Sequence, residues 1–230
     1  MMQIARFRVE HMDECVETKS GPTKEEQMWD YVLDNYKKWE NEDVKPLYLT
    51  NRGVYRDISL VVSSRSADAF ADYILNHMAP LDSIRDIWVF NMMDTRLFSI
   101  PANLSQNLKR FTITLNVVPG EAPFIFDFIS KIKPSAEILI TYITYIYHRH
   151  GDILISLLAG DKSVAEDFVR RYIGSMKGVI RTEIIPIIKS KNLANSEEWR
   201  DNCGQYFDIK NGRDVGDLEV YESWWKIGFE

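Results

Sequence analysis

Cysteine and histidine are scarce in this chain. Two cysteines and four histidines occur in 230 residues. Cys15 and Cys203 stand far apart, and neither belongs to a C-x-x-C pair. That pattern excludes a disulfide framework and a cysteine-based zinc site, and free thiols in a reducing cytoplasm are expected. No stretch approaches the roughly 20 apolar residues of a membrane helix, so no membrane association is expected. The longest apolar run, residues 138–147, is broken by Thr141 and Thr144 and reads as a strand. The opening MMQIARFRVEHMDE lacks the apolar run of a signal peptide. Positive charge is also short, with 28 Lys and Arg against 34 Asp and Glu, a net −6. Such a surface does not draw in phosphate backbones, so no direct nucleic-acid binding is expected. A G-x-S-x-G elbow, a phosphate-binding P-loop and a G-x-G-x-x-G fingerprint are all missing. No catalytic residue is assigned on this basis, and an enzyme is not the favoured reading.

Apolar periodicity is plentiful. Residues 23–40 carry Met28, Val32, Tyr36 and Trp39 at helical spacing, opened by a Thr23–Glu26 capping box. Ser66 caps a second helix with Ala67, Phe70, Ile74 and Met78 on one face. Residues 122–132 form a third, with Pro123 in the first turn where it is tolerated. Residues 163–175 form a fourth, with a capping box expected at Ser163 and Glu166. Between them lie runs rich in valine, isoleucine, threonine and aromatics, at 4–9, 46–51, 55–63, 84–100, 110–118, 137–149, 152–159 and 179–188. Such composition suits strands.

The order is β-α-β-β-α-β, twice. Thr23 and Glu121, opening the first helix of each half, are 98 apart; Asp57 and Asp152 are 95 apart. Ser66 and Ser163 are 97 apart, and Arg85 and Arg181 are 96 apart. Four landmarks at nearly one offset indicate an internal repeat. The fold class is therefore α+β, two ferredoxin-like βαββαβ repeats expected to pack sheet to sheet as a pseudo-dimeric barrel or sandwich. The expected boundaries are 1–101 and 108–190, with residues 191–230 a C-terminal extension packing on the core.

Several segments resemble the ligand-binding domain of the Lrp/AsnC regulators. The run GVIRTEIIPIIKSK at 178–191 resembles that domain's closing strand. GDILISLLA at 151–159 and GVYRDISLVV at 53–62 resemble its glycine–aspartate hairpins, and PLDSIRD at 80–86 its turn into the last strand. A helix-turn-helix is missing, since the first 50 residues hold one clear helix. The resemblance implies a stand-alone regulatory module that binds a small effector such as an amino acid. It also implies a homo-oligomer, with a DNA-binding regulator as a further partner, and no resident cofactor.

Candidate site residues follow from the hairpins. Asp57 and Asp152, beside Gly53 and Gly151, could hold an effector's amino group by a charge-assisted hydrogen bond. Equally, glycine and aspartate serve turn chemistry alone. His148 and His150 alternate along a strand and share one face. With Asp152 nearby they could hold a divalent metal, or one of them haem iron. This is the basis of a second reading, a haem- or metal-dependent oxidoreductase of related α+β shape. The plainer reading is a polar strand end. Tyr142, Tyr145, Tyr147, Trp88, Phe90 and Phe98 could line a ligand cavity or simply fill a core. His11 and His77 read as surface residues, and Arg6–Arg8 as a strand with alternating polar positions.

Overall fold

The structure is a computed structural model that describes residues 2–9, 22–52, 57–78, 81, 84–97, 108–132, 138–146 and 152–194. Eight strands and four α-helices follow in the expected order. The first repeat holds β1 (Met2–Val9), α1 (Lys24–Trp39), β2 (Val44–Arg52), β3 (Asp57–Ser64), α2 (Ala67–His77) and β4 (Ile84–Leu97). The second holds β5 (Lys109–Val117), α3 (Ala122–Ser130), β6 (Ile138–Ile146), β7 (Ile153–Ala159), α4 (Lys162–Phe168) and β8 (Val179–Asn192). The fold class is α+β, with antiparallel pairing and a repeated ferredoxin-like βαββαβ unit.

Two compact units emerge: Met1–Val89 with Ile188–Ala194, and a second that includes Phe90–Ile187. Each long strand, β4 and β8, is thus divided between them. In the first unit β3 lies between β1 and β2. Its core joins Ala5, Phe7, Leu49, Ile58, Leu60 and Val62 to Met28, Val32, Phe70 and Ile74 of the helices. These strand positions are spaced by two, so both helices cover one sheet face. Leu193 belongs to this core, and its N–H donates to the carbonyl of Leu47. In the second unit Phe111, Ile113 and Leu115 of β5 and Ile153, Ile155 and Leu157 of β7 meet Ile125, Ile129, Phe168 and Ile173.

The repeat extends to irregularities. A β-bulge breaks the register between Pro46 and Tyr48 in β2, and another between Ile140 and Tyr142 in β6. Both bulges lie 94 positions apart, so the duplication preserved a kink as well as a pattern.

Local details differ from the sequence expectation. The fourth helix is capped by Asp161, whose carboxylate accepts from the Val164 N–H, and Ser163 Oγ donates to Asp161. An aspartate two residues earlier outcompetes the Ser163–Glu166 box. That helix then widens into a π-helical turn, Val169–Ile173, where the Gly174 N–H reaches the Val169 carbonyl. The wider turn lets Phe168, Val169 and Ile173 all enter the core. His77 is half-buried and stacks on Trp39 at 5.2 Å, rather than standing on the open surface.

Candidate functional site

In each unit one sheet face lies away from the helices, and in the first unit that face carries a buried ionic cluster. Asp57 opens β3, where its register partners are Arg8 on β1 and Arg52 on β2. Arg6, one pleat along, shares the face because strand side chains alternate. Arg52 Nε lies 3.6 Å from Asp57 Oδ1, and Arg6 Nε lies 3.7 Å from Asp57 Oδ2. The Arg52 and Asp57 side chains are only 4% and 3% exposed. Asp57 Oδ1 has no hydrogen-bond partner among the described residues, and neither has the buried Ser59 Oγ on the same face. Burial pushes the Asp57 carboxyl above the usual carboxylate range, against the opposing pull of Arg52, Arg6 and Arg8. At the rim, Arg8 lies 3.8 Å from Asp86 and 4.7 Å from the centre of the Trp88 ring.

Stability alone does not account for such a cluster. Desolvating two opposite charges often costs more than their attraction returns, and aliphatic replacements are commonly neutral or better. A buried carboxylate with an oxygen lacking a hydrogen bond and a raised pKa is a functional-site candidate instead.

The second repeat places different chemistry at the matching positions. Asp152 Oδ2 accepts the Val117 N–H at 2.7 Å, so this carboxylate ties β5 to the turn before β7. Where the first repeat has Arg6 and Arg52, the second has Thr114 and Ile146, by strand register. The face is hydroxyl-rich: Thr112, Thr114, Thr141, Thr144 and Ser156 are all buried. Thr141 Oγ1 donates to Ser156 Oγ at 2.8 Å, while Thr114 Oγ1 has no partner among the described residues. A buried hydroxyl left unpaired costs about 1–3 kcal/mol, so Thr114 is poised for a partner from outside this set.

Of the sequence-derived candidates, Asp57 and Asp152 are described and fall in separate units. Gly53, Tyr147, His148, His150 and Gly151 lie outside the described residues, as do His11 and Phe98. Among the described residues no group of three His, Cys, Asp or Glu could hold a metal ion. Tyr145 packs against the helix-side core, whereas Tyr142 pairs with Ser156 on the other face. Arg52, Ser59 and Thr114 were not singled out from the sequence, where Arg6 reads only as part of a strand with alternating polar positions. The signal for the arginines was present: Arg6 and Arg8 alternate on a strand, and Arg52 and Asp57 flank a hairpin in register.

No protein-family model matches the chain, and no curated protein matches it significantly. Solved structures do resemble it. A proposed monooxygenase from Fusobacterium nucleatum aligns with a TM-score of 0.50 and 12% identity, over 84% of this chain and 94% of that one. An anthrone oxidase-like protein gives 0.49 and 9%, over 84% and 93%. A proposed monooxygenase from Lactobacillus acidophilus gives 0.48 and 10%, over 81% and 92%. The first likeness shows the fold, that of the ferredoxin-like dimeric α+β barrel proteins. The expectation of an Lrp/AsnC-like stand-alone effector module is corrected: no family model of that kind matches, and the structure that shares the fold is a proposed monooxygenase rather than a regulator. The closing-strand motif has a physical explanation that carries no function. Gly178 sits at φ 93° in the turn into β8, where a Cβ would meet Glu121 Cγ at 2.9 Å. A glycine–strand pattern of this kind follows from the fold's geometry rather than from regulation. Among the described residues no helix is long and apolar enough to cross a membrane.

Proposed function

We propose that the chain is an oxidoreductase acting on a small organic substrate, with Asp57 accepting a proton from it. The observation that carries this reading is the buried Asp57 carboxylate, without a hydrogen bond at Oδ1 among the described residues and flanked by Arg52 and Arg6. The reaction class is carried over from the proposed monooxygenase that shares the fold.

The chemistry follows from the arrangement. A carboxylate raised above its ordinary range is a stronger base than a solvated one and lies closer to a working pH. Proton removal from a phenolic O–H or an acidic C–H leaves an anion, and neighbouring guanidinium groups favour that charge in a site shielded from water. The conjugate base gives up electrons more readily than its acid, so proton removal would precede oxidation by molecular oxygen, which takes up the electrons. A haem- or metal-dependent version would draw on His148 or His150, and no step here depends on one.

The test is oxygen uptake by the purified full chain with a panel of phenols and enolisable ketones, with and without added haemin. Turnover that falls at least a hundredfold in Asp57→Asn and partly returns in Asp57→Glu supports the assignment. Full turnover in Asp57→Asn overturns the role of Asp57, and no uptake with any substrate class, with or without haemin, overturns the reaction class.

A further inference from the structure

The third helix is apolar on both sides. Ile125, Phe126 and Ile129 face the core, while Phe124 is 73% exposed and Phe128 is 50% exposed on the outer side. A helix apolar all round is normally covered on both faces. Phe124 and Phe128 are four residues apart and so lie one turn above the other. The stripe they form has charged ends of opposite sign, with Glu121 at the N-cap and Lys131 at the C-cap. Positions 121, 124, 128 and 131 follow the i, i+3, i+7, i+10 spacing of one helix face. Lys131 also pairs along the helix with Asp127 at the edge of the stripe.

This order, acid–Phe–Phe–base, is complementary in charge to its own reverse. About a two-fold axis passing near position 126, an antiparallel copy sets Phe124 against the partner's Phe128. The same operation sets Glu121 against the partner's Lys131, twice. An isologous contact demands this self-complementarity, because each residue must meet its counterpart and be met by it. A different protein would need no such symmetry.

We infer that the outer face of α3 is a homodimer contact, in which a second copy of this chain packs its own α3 antiparallel on the first through Phe124 and Phe128. One helix pair covers less than the roughly 1,200 Å² of a standard interface, so the dimer is expected to dissociate in the micromolar range unless neighbouring surface adds to it.

Sedimentation velocity across about 1–200 μM of the full chain tests this. Wild type is expected to show a concentration-dependent dimer, and Phe124→Ser a dissociation constant raised at least tenfold. Glu121→Lys makes both ends basic, and Lys131→Glu makes both acidic, so each alone is expected to stay monomeric. Mixed in equal amounts, these two variants present Glu against Lys at both ends, and the dimer is expected to return. The mixture separates a lost contact from a lost fold. A wild type monomeric at 200 μM, or a mixture that stays monomeric, overturns the inference and assigns the stripe to residues 195–230 or to another protein.

Discussion

Arg52 and Asp57 are register partners across the β2–β3 hairpin, with Arg52 Nε 3.6 Å from Asp57 Oδ1 and both side chains almost wholly buried. Burial outweighs the arginines in setting the Asp57 carboxyl above its usual range, against the opposing pull of Arg52, Arg6 and Arg8. Asp57→Asn removes the charge facing the buried Arg52 and Arg6 guanidinium groups and should lose stability at pH 7, by up to about 3–5 kcal/mol. Arg52→Met removes the strongest compensating charge and strands the carboxylate, a loss of about 3–5 kcal/mol. The double variant should be more stable than Arg52→Met alone, a coupling that urea denaturation of all four proteins measures. The sign with pH follows from linkage. The folded state holds the Asp57 proton more tightly than the unfolded chain, so this group's contribution declines as pH rises through the raised value. Asp57→Asn should remove that decline.

Two glycines on the second repeat make a matched pair. Gly178 has φ 93° and no room for a Cβ beside Glu121, whereas Gly160 has nothing within 4 Å of the position a Cβ would take. Gly178→Ala should cost about 2 kcal/mol from backbone strain and crowding together. Gly160→Ala should be neutral, or stabilising by about 0.4–1 kcal/mol through the unfolded state. Thermal melts of both variants decide it, and equal losses would remove the strain argument at Gly178.

The architecture was legible because period-2 and period-3.6 patterns are written in every element. Val179–Asn192 and Ala122–Ser130 begin where the sequence placed them, and the Thr23–Glu26 box is present as expected. The π-helical turn at Val169–Ile173 was not legible, since Phe168, Val169 and Ile173 also fit an ordinary helix. The ionic cluster was missed for another reason. Arg6 and Arg52 are 46 residues apart in the sequence and come together only through pairing with β3. Periodicity shows which face a residue takes, and only register shows whom it meets.

Tyr73 lies in the first unit's core, edge-on to the stacked Trp39 and His77 rings, and its hydroxyl is buried without a partner among the described residues. Burial, aided by the charge of Glu40, pushes that hydroxyl above its usual range. Removing the oxygen leaves the ring contacts in place and ends the cost of an unpaired polar group. Tyr73→Phe should be neutral or stabilising by about 1 kcal/mol in denaturant unfolding. A loss of that size would show that the hydroxyl has a partner.

The Asp161 cap sets an acid limit on α4. Hydrogen bonds from Ser163 and then Val164 hold its carboxyl below the usual aspartate range. A carboxylate lowered in the folded state contributes stability above its unfolded value of about 4, and loses it as pH falls through the folded one. Asp161→Ala should lower the melting temperature by a few degrees at pH 7, the usual effect of losing an N-cap. The gap between variant and wild type should close toward pH 2. A gap unchanged with pH would mean the cap does not depend on charge.

Asp152 and Asp57 stand 95 positions apart at matching places in the two repeats, yet their carboxylates meet different groups. Asp152 accepts a backbone N–H from Val117, a task that needs an acceptor but not a charge. Asparagine supplies that acceptor, so Asp152→Asn should cost under about 1 kcal/mol, while Asp152→Ala leaves the N–H unpaired at about 1–3 kcal/mol. Asp57 is assigned a task that does need the charge, since an amide cannot take a proton. Oxygen uptake should therefore survive in Asp152→Asn and vanish in Asp57→Asn, measured on protein that urea denaturation shows to be folded. The reverse outcome, with turnover lost only in Asp152→Asn, would move the proton-accepting role to the second repeat and leave the Arg6–Asp57–Arg52 cluster without one.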